Sequence, residues 1–358
     1  MRLWIVALGL SLIAIPAAAQ QVPEIPYDST PALQLPDGMY FGEMAGVAVN
    51  SKKHIFVFHR GNVSGPAFGA LAAQLLEFGP DGKFIREIGK GLYSMAYAHA
   101  VRVDKTDNIW IIDKGSDMVV KFTPEGRVAM VFGRKKEASD KAEPWERVTP
   151  PAAPIDSQFR QPTDVAWDPA GNIYISDGYI NSRVAKYDRN GEWVKTFGEP
   201  GAGPGQLNTP HSIAADVAGN LYVADRGNKR VQVFDPDGKV LREIRITVPV
   251  PADAKPALGN PTTAQNLPQH QAGSPWTVCI TPGPTQYLYV SDAFPGRIYK
   301  MTLDGRIVGM LGKAGKQPKQ FGWIHEIACP SENELYVAEI INWRIQKLTL
   351  KPSAASTN

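Results

Sequence analysis

Residues 209–226 read TPHSIAADVAGNLYVADR. Two short stretches of alternating apolar and polar residues flank the turn DVAGN, so the segment reads as a β-hairpin. The hairpin recurs along the chain. AHAVRVDKTDNIWIIDKG (98–115), PTDVAWDPAGNIYISDGY (162–179), PHSIAADVAGNLYVADRG (210–227) and IHEIACPSENELYVAEII (324–341) share its strand–turn–strand pattern. MAGVAVNSKKHIFVFHRG (44–61) and PWTVCITPGPTQYLYVSDAF (275–294) are looser copies. Third and fourth strands follow most copies, as in VVKFTPEGRVAMVFG (119–133), VAKYDRNGEWVKTFG (184–198), VQVFDPDGKVLREI (231–244) and IYKMTLDGRIVGMLG (298–312).

A four-stranded unit cannot bury both of its faces alone, but six arranged radially can. The expected fold is therefore all-β, a six-bladed β-propeller over residues 20–350, with blades from about 44, 98, 162, 210, 275 and 324. The last unit ends after its third strand, IQKLTL (345–350), so the stretch near Ala32–Leu35 is expected to supply the missing outer strand and close the ring. The second strand GNLYVAD and the N-x-R-V-Q entry to the third make the units similar to NHL repeats. Residues 134–160 and 246–273 interrupt the rhythm and read as surface loops between blades, and 351–358 as a polar tail.

Composition narrows the class. With 33 Gly and 30 Pro in 358 residues the chain is turn-rich, and a net charge of +3 without a basic run argues against nucleic acid. Arg2, the apolar run LWIVALGLSLIAIPAAA and the small residues Ala17–Ala19 read as a secretory signal peptide over 1–19. Export to the periplasm or medium is the expectation, with no membrane span after cleavage. Cys279 and Cys329 fall on opposite-facing positions of neighbouring repeats, which argues against a bridge between them. A closed propeller leaves no edge strand that demands a partner, so a monomer is expected.

The histidines carry the chemistry. His99 precedes Asp113, His211 precedes Asp225 and His325 precedes Glu339 by fourteen residues each. At that phase the other three units have Ala45, Thr163 and Trp276. In a propeller the first strand of each blade lines the channel. Histidines in alternate blades therefore point at one spot from three directions. Three imidazoles plus an open position are the ligand set of a catalytic zinc. Copper, iron and cobalt also suit imidazole. The alternative is three channel-lining histidines bonded to water and backbone.

The residue after each second strand returns to the histidine's end of the hairpin. Those residues include Arg60, Tyr179 and Arg226. Two guanidiniums beside a metal suit a carboxylate-bearing substrate. They would also favour the phenolate of Tyr179, a candidate general base. The repeated acids Asp113, Asp177, Asp225 and Asp292 read as structural caps between blades.

QPTDVAWDPAGNIYISDGYINSRVAKYDRNGEWVKTFG (161–198) and PGQLNTPHSIAADVAGNLYVADRGNKRVQVF (204–234), with VFHRG (57–61), are similar to the peptidyl-α-hydroxyglycine α-amidating lyase family. The resemblance runs from about Gly46 to Leu350. It implies a propeller with a zinc held by His99, His211 and His325, a catalytic Tyr179, and functional arginines at Arg60 and Arg226. It also implies a structural calcium held by the Val47 and Val101 carbonyls and by Glu326, which stands where the family has aspartate. The implied reaction is cleavage of a peptidyl-α-hydroxyglycine to an amide and glyoxylate. The competing readings are an exported propeller that binds peptide, glycan or protein without catalysis, and a metal-dependent propeller hydrolase or lactonase.

Overall fold

The computed structural model describes residues 22–61, 73–135, 147–256 and 270–351. The signal peptide assigned to 1–19 lies outside them, as do parts of both insertions and all but Lys351 of the polar tail. Six four-stranded antiparallel sheets form the six blades, and among the described residues there is no α-helix. Their innermost strands are Met44–Val49, Ala98–Val103, Asp164–Trp167, Pro210–Ala215, Pro275–Ile280 and Ile324–Ser331. Neighbouring inner strands pack side by side around the axis, and the last lies against the first.

The core sits between blades, because alternation along each strand gives every sheet two apolar faces. Phe56, Phe58, Ile109 and Ile111 fill the first gap, and Trp110, Phe132, Val165 and Tyr187 the next. The ring closes as expected, with a shift in position. The strand added to blade six is Tyr27–Pro31, running from Tyr27 opposite Leu350 to Pro31 opposite Gln346. Leu33 and Leu35, by contrast, pack on the first blade, where Gln34 bridges to Lys83. Pro31, which has no N–H, stands at the end of that edge strand, where a missing donor is tolerated.

The repeated acids tie each blade to the loop that enters it. Asp113 accepts from the N–H groups of Ala96 and Tyr97, Asp225 from that of Asn208, and Glu339 from that of Gly322. The Asn and Arg of the N-x-R entry close the knot: Asn228 and Arg230 donate to Asp225, and Asn342 and Arg344 to Glu339.

The cysteine expectation is overturned. Cys279 and Cys329 form a disulfide, with their Cα atoms 6.1 Å apart. Opposite parity was the wrong objection. Adjacent blades meet face to face, so residues that touch across the gap come from opposite faces of their respective sheets. Cys279 and Cys329 both belong to the cluster between blades five and six. The bridge closes a loop across a sequence separation of 50, worth about 4 kcal/mol on a chain-entropy model. Thiol titration of the denatured protein is expected to find no free thiol before reduction and two after it. Two free thiols without reductant would contradict the pairing.

Candidate metal centre

Five inner strands share one irregularity. The register slips between Met44 and Gly46, Ala98 and Ala100, Pro210 and Ile213, Pro275 and Thr277, and Ile324 and Glu326. The displaced position holds Ala45, His99, His211, Trp276 and His325. A β-bulge re-aims the side chain it displaces, and here it turns all three histidines toward the axis.

Their rings meet there. Centroid separations are 4.8 Å for His99–His211, 4.7 Å for His99–His325 and 4.9 Å for His211–His325. One ligand nitrogen from each lies within 4.8 Å of the others. Each Nδ1–H donates to a carbonyl of the following blade: His99 to Thr163 at 2.6 Å, His211 to Trp276 at 2.7 Å and His325 to Ala45 at 2.7 Å. Those acceptors are the residues at the histidine phase in the other three blades. Alternation is thus a division of labour: even blades supply imidazoles, and odd blades supply the carbonyls that orient them. With Nδ1 protonated, the lone pair sits on Nε2, facing the axis. Burial drives all three well below the usual imidazole pKa. For His99 the neighbouring His325 and Arg60 add to it, for His211 Arg226 and His99, and for His325 Arg60. Three neutral, oriented imidazoles fit a divalent transition metal.

Tyr179 borders this set. Its hydroxyl lies 3.3 Å from Nε2 of both His99 and His211. Burial raises a phenol's pKa, but Lys114, Arg226 and Arg60 outweigh it and pull Tyr179 below the ordinary tyrosine value. The three cations differ in how far they are already committed. The Arg226 guanidinium lies 5.4 Å from the Tyr179 ring and 4.2 Å from that of Trp276, and its buried Nε and Nη1 have no hydrogen-bond partner. Arg60 shares its charge with Glu43 at 2.7 Å, donates through Nε to Ala98 O, and stacks on Tyr97. Lys114 Nζ lies 3.7 Å above the Tyr179 ring.

Lys114 was missed in the sequence although its signal was there. It lies fifteen residues after His99, the same step that separates Arg60 from Ala45 and Arg226 from His211. The two insertions also reach the site. In the first, Arg147 donates to the Tyr179 carbonyl at 2.8 Å and to Asn208 and Thr209, which fixes the tyrosine's loop. In the second, His270 stacks on Trp276, and Trp323 stands edge-on to both. Trp276 in turn packs 4.9 Å from His211, giving the histidine layer an aromatic wall.

At the positions implied for calcium, the Glu326 carboxylate is already engaged. Val47 and Val101 present N–H groups to the Glu326 carboxylate, at 2.9 and 3.1 Å. The guanidinium of Arg102 lies against the same carboxylate.

Residues 207–234 match the NHL repeat model. The rat peptidylglycine alpha-amidating monooxygenase is 31% identical over 235 residues, 58% of this chain and 22% of that protein. The Drosophila melanogaster peptidyl-alpha-hydroxyglycine alpha-amidating lyase 1 is 27% identical over 280 residues, 74% of this chain and 46% of that protein. The chain thus spans less than half the length of either relative. A streptogramin B lyase structure superposes with a TM-score of 0.56 at 13% identity, covering 91% of this chain and 98% of that one, a likeness of fold. The chain is a six-bladed propeller with one segment that matches the NHL repeat, and it is similar to the α-amidating lyases.

Purified protein is expected to carry about one divalent ion per chain by plasma mass spectrometry. His211→Ala should lower its affinity at least about tenfold, since even second-layer changes cost that much. The sign of the pH effect follows from the depressed pKa values. Protons compete only below the folded-state values, not from 6.5 downward. Zinc affinity should therefore fall less steeply between pH 7.5 and 5.5 than the roughly thousandfold loss expected of three free imidazoles. Competition against a chromophoric chelator measures both.

Proposed function

We propose that this chain is a zinc-dependent lyase that cleaves a peptidyl-α-hydroxyglycine, or a similar N-acyl α-hydroxyglycine, to an amide and glyoxylate. The observation that carries it is a half-buried tyrosine placed between three converging imidazoles and an arginine with unpartnered N–H groups. Likeness to proteins named for this reaction supports it.

The substrate carries a carboxylate, a hydroxyl and an amide nitrogen on one carbon. Arg226 receives the carboxylate, since its Nε and Nη1 are buried, charged and free. Lys114 adds positive potential over the ring of Tyr179. Arg60, held by Glu43 and Ala98, acts through its field and by bracing Tyr97 beside the histidine layer. His99, His211 and His325 would hold a divalent ion, which would supply Lewis acidity to the substrate's hydroxyl. Tyr179, acting as the phenolate that Lys114, Arg226 and Arg60 favour, takes the hydroxyl proton. The carbon–nitrogen bond breaks as the C–O bond becomes a carbonyl. The same proton passes from Tyr179 to the departing nitrogen. Atoms and electrons balance without an oxidant. The aromatic wall of Trp276, Trp323 and His270 offers an apolar surface for the acyl side.

The protein acts in an exported setting, periplasmic or secreted. The reading rests on the composition of residues 1–19 and gains support from the Cys279–Cys329 bridge, which suits an oxidising compartment. Among the described residues, no helix is long and apolar enough to cross a membrane.

Zinc-loaded protein is expected to release glyoxylate from α-hydroxyhippurate and to stop when chelated. Tyr179→Phe should lower kcat about 10²- to 10⁴-fold with the metal retained. Arg226→Gln should lower kcat/KM about 10- to 100-fold, the worth of a charged hydrogen bond. Ester or lactone hydrolysis without glyoxylate would favour the hydrolase. Peptide binding without turnover would favour the non-catalytic propeller.

A further inference from the structure

Directly along the channel from the histidine layer lies a second layer built around Arg102. Arg102 follows His99 by three residues on one strand, and Glu326 follows His325. The space between the layers admits no water-sized sphere. Arg102 Nε donates to Asp164 Oδ1 at 2.9 Å and Nη2 to Asp164 Oδ2 at 2.6 Å, a planar two-point pair. Nε also lies 3.0 Å from Glu326 Oε1, an ion pair out of line for a hydrogen bond. Nη1 reaches the Ile327 carbonyl at 3.4 Å and Nη2 the Ser212 hydroxyl at 3.2 Å.

The acids are held from behind. Asp164 accepts from the N–H of Val165 and Ile213 and from Ser212 Oγ. Glu326 accepts from the N–H of Val47 and Val101. Ser212 Oγ accepts from the N–H of Val278. These contacts join Val47 of the first blade, Arg102 of the second, Asp164 of the third, Ser212 of the fourth, Val278 of the fifth and Glu326 of the sixth. All six blades meet in one network, and its centre is a guanidinium.

We infer that Arg102 is the axial cation of this propeller: its side chain stands in place of a structural calcium, and the ring closes without that ion. A calcium needs six to eight oxygen ligands. Here the carboxylate of Glu326 is already engaged by the N–H groups of Val47 and Val101 and by the Arg102 guanidinium, so a fixed positive charge stands on the ligand a calcium would need. The inference concerns the channel and is independent of the reaction proposed above.

Thermal unfolding of the full zinc-loaded chain tests it, in calcium-free buffer and in 1 mM calcium with zinc held constant. The expected result is the same Tm within about 1 °C, with no calcium retained after desalting. Arg102→Ser leaves two buried carboxylates without their partner and should lower Tm by about 5–10 °C in calcium-free buffer. Arg102→Lys, which keeps the charge but not the fork, should lose less and serves if the serine variant does not fold. A calcium-dependent rise of more than about 3 °C in the unsubstituted chain, about one calcium retained per chain, or an unchanged Tm in Arg102→Ser would each overturn the inference.

Discussion

The structure depends on one repeated contact: a histidine Nδ1–H donating to a carbonyl of the next blade. The contact is local in space and distant in sequence, with separations of 64, 65 and 280 residues. The longest of these crosses the closure of the ring, from His325 to Ala45. The histidine layer therefore requires the closed ring. If the ring opened by a few degrees, the last imidazole would lose its orienting carbonyl and its place beside the other two.

Electrostatics divides the channel into two levels. The upper level gathers Arg60, Lys114 and Arg226 around a phenol and three neutral imidazoles. Among the described residues, Arg60 is paired with a carboxylate, Glu43, and Lys114 feels the charge of Asp117. Burying Arg226 with unpartnered nitrogens is costly unless an anion completes it. The lower level is internally matched, a guanidinium among carboxylates and backbone donors. The upper level thus suits a visitor, and the lower one suits permanence. Glu326 joins them, since it follows a histidine of one level and closes the network of the other.

Much of this was legible in the sequence, because repetition converts sequence phase into spatial equivalence. The blade count, the histidine triad and the nearness of Tyr179 and Arg226 all followed from counting steps between strands. What stayed hidden depended on three-dimensional relations that phase does not encode. The parity of Cys279 and Cys329 was read correctly and interpreted wrongly, because it is the opposed faces of adjacent blades that meet. Tyr27–Pro31 rather than Ala32–Leu35 closes the ring because Leu33 and Leu35 are taken by the first blade. The bulge at each histidine leaves no mark in composition. Lys114 was readable, since it shares the step of Arg60 and Arg226, but a lysine among arginines drew no attention. Arg147 and His270 belong to insertions whose irregular sequence gave no register to count from.

The central claim is that three imidazoles, one from every second blade, share a single ion. X-ray absorption at the zinc edge on the purified, zinc-loaded protein tests it most directly. The account expects a first shell at about 2.0–2.1 Å with the multiple scattering of three imidazole rings and a fourth light-atom ligand. A shell of sulfur, or one of oxygens with fewer than three imidazoles, would contradict it.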